Sequence, residues 1–201
     1  GSSKGIKDNS IVEKRGDLCA RVQEVISLYK EPVIVERFLS GREFTVGVLG
    51  NDPHLEILPI VEIDHGLLPE GARPIYSYEA KWIWDTPERP LEIFKCPARI
   101  SSKLKSRIED IVTKTCRVLR VRDWCRIDLR LDERGEPNIL EVNPLPGVLP
   151  KPEDNSCLPK AARTPGYYYA ELILRVVDEA CARYGTTGDA GNPSAKKPRT
   201  K

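Results

Sequence analysis

The residues best equipped for chemistry lie in one short stretch. It reads Cys125-Arg126-Ile127-Asp128-Leu129-Arg130-Leu131-Asp132, then Glu133-Arg134-Gly135-Glu136, then Pro137-Asn138-Ile139-Leu140-Glu141-Val142-Asn143. The first segment alternates strictly, so a strand there sends Arg126, Asp128, Arg130 and Asp132 to one face and the apolar residues to the other. Pairing Asp132 with Pro137 across a four-residue turn places Asp128 opposite Glu141 and Arg126 opposite Asn143, all on the polar face. Opposed like charges repel. Two carboxylates with an amide oxygen beside them make a hard donor set of the kind Mg²⁺ takes together with substrate phosphates. The alternative is an ordinary solvated strand face, and a slip of one residue in register would scatter the group. On the repulsion argument, removing either carboxylate should steady the ion-free protein.

Such a hairpin needs a platform. Leu18, Val22, Val25, Ile26 and Tyr29 fall at helical spacing and predict an amphipathic helix over 15–29, ending near Lys30-Glu31-Pro32. Val33-Ile34-Val35-Glu36-Arg37-Phe38 and Glu43-Phe44-Thr45-Val46-Gly47-Val48-Leu49 read as strands about a Ser40-Gly41 turn, and residues 54–63 continue the meander. Residues 64–99 read as a long functional loop with short elements. Leu104, Ile108, Ile111, Val112, Thr115 and Leu119 mark a second helix. After a Pro-rich stretch at 144–165, Tyr169, Leu172, Ile173, Val176, Val177 and Ala180 mark a last one. The order predicts an α+β fold, an antiparallel sheet covered by helices.

Composition narrows the function. The 201 residues hold 32 Lys+Arg against 30 Asp+Glu, a net charge of +2. Lys196, Lys197, Arg199 and Lys201 against Asp189 in the tail account for that excess, so bulk charge gives no reason to expect a nucleic-acid partner. No long uncharged apolar run suggests a membrane span, and no signal peptide is expected. Cys19, Cys96, Cys116, Cys125, Cys157 and Cys181 include no Cys-x-x-Cys pair, and only His54 and His65 accompany them. Free thiols in a reducing cytoplasm are expected rather than zinc or a disulfide scaffold. There is no Met, and the chain opens Gly1-Ser2-Ser3, which suggests a longer reading frame.

Arg-Ile-Asp-Leu, a turn, and Glu-Val-Asn-Pro-Leu-Pro-Gly resemble the ATP-grasp ligases, and within them the D-alanine–D-alanine ligases. The likeness extends through Gly1-Ser2-Ser3-Lys4-Gly5-Ile6, Glu36-Arg37-Phe38-Leu39-Ser40-Gly41-Arg42-Glu43, Tyr76-Ser77-Tyr78-Glu79-Ala80-Lys81-Trp82 and Ser156-Cys157-Leu158-Pro159-Lys160-Ala161-Ala162-Arg163. It implies an ATP-grasp fold over residues 1–185, truncated at its N-terminal side, with a basic tail over 186–201. It also implies a reaction joining two D-alanines through an acyl phosphate, ADP-forming, in peptidoglycan precursor synthesis.

Carried over residue by residue, Asp128, Glu141 and Asn143 correspond to ligands of two Mg²⁺ ions, with Mn²⁺ as a substitute. Arg126 corresponds to the arginine that stabilises the acyl phosphate and tetrahedral intermediate, and Ser2 to a catalytic serine. Ser3, Glu36, Phe38, Leu39, Glu43 and Lys81 correspond to the ATP site, with Glu43 on the ribose and Lys81 on the phosphates. Ser156 and Gly147 correspond to the site of the second D-alanine. Trp82 stands where the family has Tyr, which keeps open a ligase of another acid or amine. A non-catalytic nucleotide-binding remnant is the third alternative. Dimers are usual in the family.

Overall fold

Alternation produces strands where a neighbouring strand can accept the ladder. In the computed structural model of the protein, which describes residues 6–86 and 88–186, β1 (Glu43–Leu49) lies at the centre of an antiparallel sheet. It pairs on one side with β2 (Glu56–Ile57) and β3 (Val61–Ile63), and β3 pairs with β4 (Phe94–Lys95). On its other side lies β5 (Trp124–Leu131), which pairs with the edge strand β6 (Pro137–Asn143). The α+β expectation holds.

Helices cover both faces. α1 spans Arg15–Tyr29, α2 Ser102–Leu119, α3 Cys157–Arg163 and α4 Tyr169–Tyr184. Ser101 caps α2 by accepting from the Leu104 amide at 3.3 Å, and Arg120 closes it in the left-handed region. Ile108, Val112 and Cys116 of α2 pack on Phe44, Val46, Val48, Cys125, Ile127 and Leu129. On the opposite face, Leu158, Ala161 and Ala162 of α3 and Leu172 of α4 pack with Leu49, Leu58, Val61, Ile93 and Phe94. Gly47 lets α3 come this close, since a Cβ there would stand 2.5 Å from Leu158 Cδ1 and 2.9 Å from Leu58 Cδ1. Beyond α3, the same face of β1, β5 and β6 is polar, carrying Thr45, Arg126, Asp128, Glu141 and Asn143.

Four expectations need correction. Residues 33–38 form no strand: Ile34 is 81% exposed and Val35 58%, and no neighbouring strand among the described residues completes a ladder. α1 is a helix with the expected bounds, but it buries none of its residues. The stretch 144–165 contains α3, whose Pro159 sits early enough in the helix to be tolerated. The hairpin turn is also longer than expected: Leu131, not Asp132, pairs with Pro137. Asp132 organises that turn, accepting from the amides of Arg134 at 2.9 Å and Glu136 at 2.8 Å, while Gly135 supplies φ +79°.

Candidate active site

A β-bulge sets the geometry of the hairpin. From the turn, pairing runs Leu131–Pro137, Arg130–Asn138, Leu129–Ile139; after the irregularity it runs Asp128–Glu141, Ile127–Val142, Arg126–Asn143. Leu140 is the extra residue, and it is exposed. The bulge lets Ile139 and Val142, three apart, both pack on the core, and it turns Glu141 and Asn143 to the polar face. The facing pairs expected from sequence are therefore present at the site end of the hairpin, although its turn end is shifted by one.

Asp128 is the hub. It accepts from Arg126 Nε at 2.9 Å and Nη2 at 2.7 Å, from Thr45 Oγ1 at 2.5 Å and from Asn143 Nδ2 at 3.2 Å. Asn143 also donates to Glu141 at 2.9 Å, and Arg126 Nη2 lies 3.6 Å from Glu141. The Arg126 and Asp128 side chains are mostly covered, at 20% and 15% exposure, whereas Glu141 is 61% exposed. Burial disfavours the Arg126 charge, yet the hydrogen bonds and charge of Asp128, with Glu141 behind it, hold its pKa above the ordinary arginine value.

The three oxygen-bearing side chains fit a hard cation. No group of three or more His, Cys, Asp or Glu that would hold a metal occurs among the described residues. An ion here would draw on the two carboxylates, the Asn143 amide oxygen and oxygens of a ligand, which is the pattern of Mg²⁺. The amide already touches both carboxylates through its nitrogen, and turned end for end it would offer its oxygen to the same place.

Beside this cluster, Ser156 at the start of α3 donates to the Gly147 carbonyl at 3.1 Å and accepts from the Leu149 amide at 3.3 Å. The two residues assigned to one subsite thus touch. Cys157 follows; burial pushes its thiol up to about 12, against the pull of Arg126, Lys160 and Lys81 and with a push from Asp128. Those charges place Lys81 within electrostatic reach of the same corner. Lys81 lies in a short π-helical turn, 80–84, with Nζ 5.7 Å from the Trp82 ring centroid.

Of the other candidates, Glu43 lies on the same sheet face. Glu43, opposite Arg130 on β5, is held by Arg130 Nη1 at 3.1 Å and His65 Nε2 at 2.9 Å. Phe38 lies under the Arg130 guanidinium at 4.8 Å; Leu39 is half-buried and Glu36 exposed. Ser2 and Ser3, and the tail beyond 186, lie outside the described residues. Sequence reasoning missed Thr45, Arg130 and His65. Only the β1–β5 register, Thr45 to Asp128 and Glu43 to Arg130, would have found the first two.

Comparison with known proteins agrees with this architecture. A family model described as D-ala D-ala ligase C-terminus matches residues 1–178. The uncharacterized protein y4sG of Sinorhizobium fredii is 36% identical over 189 residues, 92% of this chain and 53% of that one. D-alanine–D-alanine ligase B of Chromobacterium violaceum is 33% identical over 178 residues, 89% of this chain and 51% of that one. The crystal structure of D-alanine–D-alanine ligase from Bacillus anthracis superposes with a TM-score of 0.65 at 23% identity, over 90% of this chain and 54% of that one. The VanG D-Ala:D-Ser ligase of Enterococcus faecalis gives 0.63 at 25% identity, over 89% and 46%. The chain spans about half the length of the curated relatives it matches. With its antiparallel sheet, covering helices and motifs in family order, the chain belongs to the D-alanine–D-alanine ligase family and corresponds to the C-terminal, ATP-grasp portion of its members.

Proposed function

We infer that this chain provides the ATP-dependent half of a carboxylate–amine ligase. The reaction joins two D-alanines: ATP phosphorylates one carboxylate, the amine of the second D-alanine attacks the acyl phosphate, and phosphate leaves. One observation carries the reading, the placement of Arg126, Asp128, Glu141 and Asn143 on a single sheet face beside the Ser156–Gly147 contact. Relatives named as D-alanine–D-alanine ligases and a Bacillus anthracis ligase structure complexed with ATP support it.

In this reading Asp128, Glu141 and Asn143 hold two Mg²⁺ ions, or Mn²⁺, whose chemistry when bound is to neutralise phosphate charge. Arg126 places a guanidinium where negative charge develops on the acyl phosphate and the tetrahedral intermediate. Its wide fork to Asp128 keeps it oriented before substrate arrives. Glu36, Phe38 and Leu39 receive the adenine, Glu43 the ribose hydroxyls, and Lys81 and Ser3 the phosphates. Ser2 acts at the first substrate, while Ser156 and Gly147 hold the carboxylate of the second. The enzyme works in the cytoplasm, as a homodimer. Most of the catalysis is positioning and charge neutralisation.

The test is phosphate release from Mg·ATP by the natural protein that carries this sequence. D-alanine should support turnover and L-alanine much less, and Asp128→Asn or Glu141→Gln should abolish it. Wild-type turnover in either variant overturns the metal assignment. A second reading, the same chemistry with another amine, is favoured by Trp82: its indole is 51% exposed beside Lys81 and cannot accept a hydrogen bond as a Tyr hydroxyl would. Better turnover with a different acid and amine pair would establish that reading instead.

A further inference from the structure

Glu43 sits in a small polar cluster drawn from four separate segments. Arg130 reaches it from β5, and His65 from the turn after β3, itself capped by Asp64 accepting from the Gly66 amide at 3.1 Å. Phe38 stacks on Arg130 from the loop before β1, and Arg130 Nε donates to the Gly41 carbonyl at 3.0 Å. The Arg130, His65 and Glu43 side chains are only 5%, 10% and 12% exposed. Both donors fall on the same oxygen, Oε2. Among the described residues, nothing donates to Oε1.

His65 is committed to this one contact. A carboxylate can only accept, so Nε2 must carry the proton whether the ring is neutral or charged. The other ring nitrogen, Nδ1, is buried and has no hydrogen-bond partner among the described residues. A buried polar atom left unsatisfied is a standing cost and calls for a reason. The ring's single polar interaction supplies one: it fixes the Glu43 carboxylate. Arg130 alone would leave that carboxylate free to rotate about its contact, whereas two donors from opposite elements define its plane and present Oε1.

We propose that His65 is a positioning residue for nucleotide recognition, holding Glu43 Oε2 so that Oε1 accepts from the vicinal hydroxyls of a ribonucleotide. This rests on the ATP-site reading above. The chain then discriminates by sugar as well as by phosphate.

Titration calorimetry with Mg·ATP and Mg·2′,3′-dideoxyATP tests it, on the wild-type chain and on His65→Ala, His65→Gln and Glu43→Gln. Wild type should prefer ATP by roughly tenfold or more, the worth of one hydrogen bond to a charged acceptor. His65→Ala and Glu43→Gln should lose most of that preference by weakening ATP and leaving the dideoxy nucleotide unchanged. His65→Gln, which keeps a donor at the position of Nε2, should restore it. A purely structural His65 would weaken both nucleotides equally, and that result overturns the proposal. So does a His65→Ala chain that keeps its preference while Glu43→Gln loses it. A wild-type chain that binds neither nucleotide overturns the ATP-site reading itself, and the proposal with it.

Discussion

Replacing Asp128 by Asn in the ion-free protein separates two accounts of the hairpin. Facing carboxylates considered alone predict relief of repulsion and a more stable variant. The structure predicts the reverse, because Asp128 is surrounded by donors: two arms of Arg126, the Thr45 hydroxyl and the Asn143 amide. Asn would retain one acceptor oxygen but turn an NH₂ toward a guanidinium or an amide, leaving the largely buried Arg126 with only the exposed Glu141, 3.6 Å away, as counter-charge. Breaking a fully buried pair costs about 3–5 kcal/mol. Exposure of 15–20% at both partners reduces that to about 2–3 kcal/mol by solvent screening. For a domain of this size that corresponds to a fall in Tm of roughly 4–12 °C. Glu141→Gln should change stability by no more than about 0.5 kcal/mol, since Glu141 is 61% exposed and exposed pairs contribute little. Calorimetric melts in EDTA measure both. An Asp128→Asn chain as stable as wild type, or a larger loss in Glu141→Gln, would refute the donor-cage argument.

Three further outcomes follow from local geometry. Gly47→Ala forces a methyl to within 2.5 Å of Leu158 Cδ1, and overpacking of this kind should cost about 1–3 kcal/mol in urea unfolding. Asp123 is held below the ordinary carboxylate range by the Arg183 fork, with Asn51 adding a donor and burial opposing. Its contribution is therefore full above the unfolded pKa of about 4 and is lost as pH falls through the lower folded value. Arg183→Gln should remove that contribution at neutral pH and flatten this part of the acid limb, as read by urea melts from neutral pH downward. Cys157, with its thiol pushed up to about 12, should resist iodoacetamide at mildly alkaline pH, while the exposed Cys19 reacts first. Peptide mass mapping over a time course gives the order.

The legible part of the fold is the part whose information is local. Strict alternation from Cys125 to Leu131 specified β5, and 3.6-residue periodicity specified α2 to within two residues and the start of α4, whose last turn runs on past Ala180 to Tyr184. Residues 33–38 are also largely apolar but have no neighbouring strand among the described residues, and strand formation is a property of pairs, not of single segments. The seven residues of α3 were hidden by Pro159 and by the prolines around them. At the site, Asp128, Glu141 and Asn143 were found because they share one hairpin. Thr45, Arg130 and His65 matter through contacts across strands, and no spacing along the chain encodes those.

The extra residue at Leu140 also divides the hairpin into two mechanical halves. A ladder without it would transmit any change in the tip, one residue gained or lost, directly to Glu141 and Asn143, exchanging core for solvent along the whole edge strand. With an irregularity between Asp128 and Leu129 already present, such a change has a place to be absorbed before it reaches the carboxylates. The tip at 132–136, tied down by the Asp132 side chain, is consequently a segment in which descendants of this sequence can vary in length and composition while the chemistry behind it stays in register.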